Sequence, residues 1–200
     1  MKSRKAALAV VGAVVLLGSL ATAASARNLS VSNLRLRATF ASAELSGLFG
    51  TTGCALTAEG SFHTRTIAKV VSRLVGYVTS ASLGPCRNGS ATLLTETLPW
   101  HVQYGSFSGS LPNISGVTGK VVNVSFRIRE TGGITCLFRS TTAEPATTTL
   151  SREAGGAATS VTLGGSIRSG AECLGASSSL GGTSSSLTNE TGTRGTITLI

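Results

Sequence analysis

Hydrophobic and polar residues alternate with a period of two along most of the chain, the pattern of strands that bury one face. Leu34, Leu36, Ala38 and Phe40 share one face of a predicted strand, and Arg35, Arg37 and Thr39 share the other. Leu29 and Val31 alternate in the opposite phase, which puts a break near Ser32-Asn33. Cys54, Leu56, Ala58, Gly60 and Phe62 form a second inward set. The clearest run covers residues 121–130, with Val122, Val124, Phe126 and Ile128 inward and Asn123, Ser125, Arg127 and Arg129 outward. Thr131-Gly132-Gly133 then supplies a turn, and Ile134, Cys136 and Phe138 return, so residues 121–139 read as a β-hairpin. Further strands are expected over 91–98, 100–107, 147–150, 160–163, 165–168 and 193–200.

One stretch changes period. Ile67, Val70, Val71, Leu74, Val75 and Val78 recur at three- and four-residue steps, which predicts an amphipathic helix over residues 64–79. Its β-branched content and Gly76 keep a pair of strands open as the alternative. Gly84-Pro85 predicts a break before Cys86, residues 111–116 a loop, and residues 175–189, almost all small and polar, a mobile loop. Together these imply an all-β fold, a β-sandwich of eight to ten strands with one helical insertion.

The first residues have a different character. Lys2, Arg4 and Lys5 precede an apolar run from Ala6 to Ala24, and Ala24-Ser25-Ala26 has the small-x-small form of a signal-peptidase site. Residues 1–26 are therefore expected to be cleaved, leaving residues 27–200 as a single domain. The alternative is an uncleaved anchor over residues 6–24, but Gly12, Gly18, Ser19 and Thr22 dilute its hydrophobicity. A secreted or wall-associated destination also makes sense of the four cysteines. Cys54, Cys86, Cys136 and Cys173 are even in number and match no zinc spacing, so two disulfides are expected. Three pairings exist; Cys54–Cys86 with Cys136–Cys173 is preferred because each pair lies within one half of the chain.

The chemistry of known catalytic sites is scarce. His63 and His101 are the two imidazoles, and all eight acids are glutamates. Glu96, five residues from His101, could orient it, and a serine could then be a hydrolase nucleophile. However, the two fall on different predicted strands. Residues 105–109 read Gly-Ser-Phe-Ser-Gly, with Phe where a nucleophile elbow needs Ser. Nothing in the sequence calls for a metal or a small-molecule cofactor. The N-x-S/T triplets, such as Asn189-Glu-Thr191, are what a Ser/Thr-rich chain produces by chance.

Charge is the feature with a functional edge. Net charge is +9, and loss of Lys2, Arg4 and Lys5 with the leader would lower it to +6. Arg35/Arg37 and Arg127/Arg129 are i, i+2 pairs, each projecting from one sheet face. Were their strands neighbours, they would form a cationic stripe for anionic wall polymers or membrane-surface headgroups. The plainer reading is that they solvate the outer face. Nucleic acid is disfavoured, because outward aromatics for stacking are few.

Residues 60–69 (Gly-Ser-Phe-His-Thr-Arg-Thr-Ile-Ala-Lys), Leu98-Pro-Trp-His101 and residues 109–114 (Gly-Ser-Leu-Pro-Asn-Ile) resemble uncharacterised exported proteins of actinobacterial type. The resemblance implies a Gram-positive exterior and carries no activity or site residue. The sequence thus leads to a non-enzymatic secreted or wall-associated binding or structural protein. A hydrolase using His101 and Glu96, or a membrane-tethered domain, are the rivals.

Overall fold

A computed structural model describes residues 28–47, 50–110, 113–130, 133–153, 156–169 and 177–199. In it the alternating runs form strands: β1 (Asn28–Val31), β2 (Arg35–Gly47), β3 (Gly50–Phe62), β4 (Thr66–Ala68), β5 (Leu74–Arg87), β6 (Gly89–Leu93), β7 (Trp100–Ser110) and β8 (Asn113–Val122). The second half supplies β9 (Ser125–Glu130), β10 (Thr135–Arg139), β11 (Ala146–Arg152), β12 (Ala158–Gly164), β13 (Ser166–Ser169), β14 (Ser177–Thr183), β15 (Ser186–Thr188) and β16 (Ile197–Leu199). The described residues are therefore nearly all β, with one short 3-10 turn at Thr95–Thr97.

The sheet closes on itself. In the order β2, β3, β5, β7, β8, β11, β12, β14, each strand pairs antiparallel with the next. β14 then returns to β2, with Leu180 opposite Leu45 and Gly181 opposite Glu44. The result is an eight-stranded barrel, which leaves none of these strands with an open edge along its whole circuit. Such a barrel has an interior about wide enough for its own side chains or one small ligand.

Two structures cover the ends of this barrel. At one, β1 lies between β16 and β4 in a small antiparallel sheet, and it contributes Leu29 and Val31 to the core beside Ile67 and Ile197. The phase change at Ser32-Asn33 is the point where the chain leaves this small sheet for the barrel. At the other end the main sheet continues from β14 through β13, β10 and β9 to β6. Its apolar face, with Phe126, Ile128, Phe138 and Ile167, packs on Leu45, Ala81 and Leu180 of the long strands. Phe126 and Phe138 are 1% and 2% exposed, so this second core is as dry as the first.

Several expectations are corrected. The sheet is a closed barrel with a packed extension and more strands than the expected eight to ten, not an open sandwich. No helix forms over residues 64–79. Ile67 belongs to β4, Val70 and Val71 stand 55% and 63% exposed in a turn, and Ser72 adopts a positive φ of 65° before β5 begins. The helical period arose from two strands flanking that turn, and the β-branched residues favour this outcome. Gly84-Pro85 does not end β5. The two residues oppose Ala55 alone between the pairs Cys54↔Cys86 and Leu56↔Leu83, so they form a bulge, a setting that tolerates Pro.

Residues 113–116 are strand rather than loop, and Asn123, at φ 74°, divides the run 121–130 into β8 and β9. Ser125, expected outward, is fully buried. The expected mobile loop at 175–189 contains β14 and β15, anchored by Leu180 and Leu187, each 3% exposed. Cys54 and Cys86 face each other across β3 and β5 and are bridged, as expected. This is the disulfide among the described residues. Cys136 is buried and not a free thiol, while its expected partner Cys173 lies outside the described residues, as do residues 1–26.

Candidate functional site

Inside the barrel is a cavity of about 180 Å³ whose lining is almost entirely carbon. Its origin is in the inward-facing sets of the strands. Ala38 on β2 sits opposite Ala58 on β3, and Gly119 on β8 sits beside Thr148 on β11, so small side chains meet where larger ones would fill the barrel. Leu29, Ile67 and Ile197 line one end from the small sheet. Trp100, Val124, Phe126 and Leu180 line the other, at the junction with the second core. Trp100 is held by its indole N–H, which donates to Thr97 Oγ1 at 3.0 Å. The 3-10 turn that follows β6 thereby fixes one wall of the cavity.

Tyr104 is one of the polar residues of this lining, with Glu59, Ser61, Gln103, Thr118 and Thr148. Trp100, Val102 and Tyr104 alternate inward along β7, and Tyr104 is 4% exposed. Its hydroxyl makes no hydrogen bond among the described residues. Burial raises its pKa above the ordinary value of 10.0, because the apolar surroundings disfavour the phenolate. The phenol therefore stays protonated at neutral pH. In the unfolded chain it ionises near pH 10, so stability contributed by the buried phenol is present below that pH and is lost as pH rises past it. Tyr104→Phe is expected to flatten the fall in urea midpoint between pH 9 and 11 relative to the native chain. An unchanged slope would show that Tyr104 does not titrate abnormally.

The arginines selected from sequence do not form one stripe. Arg35 and Arg37 lie on β2, whereas Arg127 and Arg129 lie on β9, and β14, β13 and β10 intervene. Arg35 pairs with Glu190, which holds its guanidinium more firmly protonated, and Arg37 Nη2 pairs with Glu59 Oε1 at 2.7 Å. These four residues line a second, polar cleft between β2, β3 and the segment after β15, so its arginines are already matched by carboxylates. By contrast Arg127 and Arg129 are exposed and take part in no ion pair among the described residues. Arg139 on β10 joins them on the same outer face. It opposes Ser125, two residues from Arg127, a diagonal separation of about 7–8 Å.

His101 and Glu96 are not brought together by any hydrogen bond or ion pair among the described residues, and neither lines the cavity. His101 stands instead beside Tyr77 at 5.3 Å between ring centroids, and Tyr77 packs on His63 at 4.7 Å. Both histidines thus pack against one tyrosine, His63 tilted and His101 edge-on. Asn189, in a chance glycosylation triplet, is 9% exposed. Its side-chain oxygen accepts from the Thr191 and Thr193 backbone N–H groups, so it holds a turn.

Sequence reasoning placed Trp100, Val102 and Tyr104 on one face but could not see a cavity. The signal lies in small residues on inward phases, and only the strand order shows that they meet. Compared with protein families, curated proteins and solved structures, the chain gives no match to any.

Proposed function

We propose that the chain is an exported, non-enzymatic binding protein whose barrel holds a small apolar molecule. The observation that supports this most is the cavity at the centre of an otherwise well-packed fold. Its wall is almost entirely carbon, so an apolar molecule seated there removes that surface from water, which makes binding the reading that best accounts for the space. Export rests on the leader-like residues 1–26 and on the Cys54–Cys86 bridge.

A compact hydrocarbon is the right probe. A cavity of about 150 Å³ lined by aliphatic and aromatic groups takes up benzene. A ligand bound only by the folded state raises stability by RT ln(1 + [L]/Kd). The thermal midpoint of the full chain is therefore expected to climb steadily with p-xylene concentration, while a hydrocarbon too large for the space, such as pyrene, has no such effect. A midpoint indifferent to every small hydrocarbon tried would remove the proposal's basis.

A second reading, attachment to anionic wall or membrane-surface polymers, is supported by Arg127, Arg129 and Arg139 on one outer face, which take part in no ion pair among the described residues. Retention of the full chain on isolated Gram-positive walls should then fall steeply with salt. Changing these three arginines to Ser should abolish it, and changing Arg35 and Arg37 should matter little. Retention that ignores both salt and arginines would count against this reading.

A further inference from the structure

The turn that joins β4 to β5 carries two adjacent valines, Val70 and Val71, each more than half exposed. Leu34, where the chain passes from β1 to β2, is a third exposed large hydrophobic residue at the same end of the barrel. Exposed hydrophobic residues scattered singly are ordinary, but a group of them at one end calls for a cause. Local preference does not supply it. Turns favour Gly, Asn, Asp and Ser, whereas β-branched residues suit strands. Ser72, next in the turn, holds a positive φ of 65°, a conformation disfavoured for any residue with a side chain.

The turn is firmly held. The Arg73 N–H donates to the Val70 carbonyl at 3.1 Å, the Ser72 N–H to the Tyr104 carbonyl at 2.8 Å, and the Tyr104 N–H to the Arg73 carbonyl at 2.9 Å. These bonds tie the turn to β7 and keep the valines presented to solvent, so seating them against another surface costs little further ordering.

Charge indicates what that surface is. Lys69 and Arg73 flank the valines, and Arg65 stands exposed just before β4. Lys69 Nζ lies 5.3 Å from the centroid of the Phe107 ring, and Arg65 Nη1 donates to the Ser32 carbonyl at 2.9 Å. Neither Arg65 nor Arg73 takes part in an ion pair among the described residues. By contrast Glu59, Glu153 and Glu190, the carboxylates placed at this end, pair with Arg37, Arg194 and Arg35. The turn thus joins an apolar point to an excess of positive charge. An anionic bilayer matches both, since its interface takes up apolar side chains and its headgroups attract cations.

We propose that the Val70-Val71 turn is a membrane-docking tip, which seats both valines in the interface of an anionic lipid bilayer while Lys69, Arg73 and Arg65 meet the headgroups. This goes beyond the reading of the barrel as a binding cavity and stands without it. Ile67, three residues before Val70, lines the cavity, so docking sets that end of the barrel against the phase in which small apolar molecules collect.

The test is co-sedimentation of the full, oxidised chain with vesicles of phosphatidylglycerol and phosphatidylcholine in equal parts, and with phosphatidylcholine alone. Binding to the anionic vesicles is expected, weaker by about tenfold without phosphatidylglycerol. Val70→Ser/Val71→Ser should weaken it about tenfold as well, through the apolar area no longer buried. Arg127→Ser/Arg129→Ser/Arg139→Ser, at the opposite end of the barrel, should leave it unchanged. In Val71→Trp the added tryptophan should be quenched by brominated lipid, with the native chain as the blank because Trp100 is buried. Failure to bind anionic vesicles, or equal binding by the valine variant, would overturn the proposal. So would vesicle-bound Val71→Trp whose emission is not quenched, because contact is then made elsewhere on the chain. None of these results depends on p-xylene uptake, so the tip and the cavity fail separately.

Discussion

Leu180→Asp is expected to leave no folded protein at 25 °C in the absence of stabilising solutes. β14 is the strand that joins β12 to β2 and so closes the barrel, and it consists of Ser, Gly and Thr apart from Leu180. That leucine is 3% exposed and packs opposite Leu45 at the junction of the two cores. The core cluster around it holds no Lys or Arg, and an unpaired buried charge costs several kcal/mol even after relaxation. Total stabilities are usually about 5–15 kcal/mol, so a loss of this kind combined with loss of the leucine's own burial removes most of it. Leu180→Ala should cost about 2–5 kcal/mol and remain measurable by urea titration. If Leu180→Asp unfolds at the native urea midpoint, β14 does not close the sheet.

Removing the Cys54–Cys86 bridge has the second largest expected effect. The two residues are separated by 32 positions and join β3 to the end of β5, at the bulge made by Gly84-Pro85. Cross-linking a loop of that length restricts the unfolded chain by about 3–4 kcal/mol. Cys54→Ala/Cys86→Ala should lower the unfolding free energy by about that amount, with some further loss from the space left at Cys54, which is 1% exposed. The native chain in reductant should behave likewise. A double variant with native stability would mean that the bulged end of β5 is held by packing alone.

These two cases show what a sequence pattern reveals and what it hides. The Cys54–Cys86 pairing was legible because the two cysteines lie in one half of the chain, and Cys54 sits in the inward set with Leu56 and Ala58. The facing of β2 and β9 was legible for the same reason: alternation is a local property, and Phe40, Phe126 and Ile128 obey it. Closure by β14 was not, because Ser, Gly and Thr carry no hydrophobic period, and a strand of that composition is stabilised by its two neighbours rather than by its own preferences. The false helix at 64–79 had the opposite cause, a hydrophobic spacing produced by two strands and the exposed valines of their turn. The arginine stripe failed on topology alone, since Arg37 and Arg127 are each outward as expected but belong to strands that do not meet.

The cavity was hidden most thoroughly. Ala38, Ala58, Gly119 and Thr148 are far apart in sequence, and nothing in any one strand marks them as the narrow cross-section of a barrel. Once the strand order is known, they account for the space. The aromatic at its far end offers a direct reporter. Trp100 is the sole tryptophan, lines the cavity and is 4% exposed.

The most direct test of a ligand-holding barrel is therefore the emission of Trp100 during titration of p-xylene into the full chain, repeated with Ala58→Leu, whose added carbons project into the same space. A saturable change in the native chain that disappears in a folded Ala58→Leu variant is the predicted result. No saturable change in the native chain, or an identical titration in the filled variant, would contradict the account.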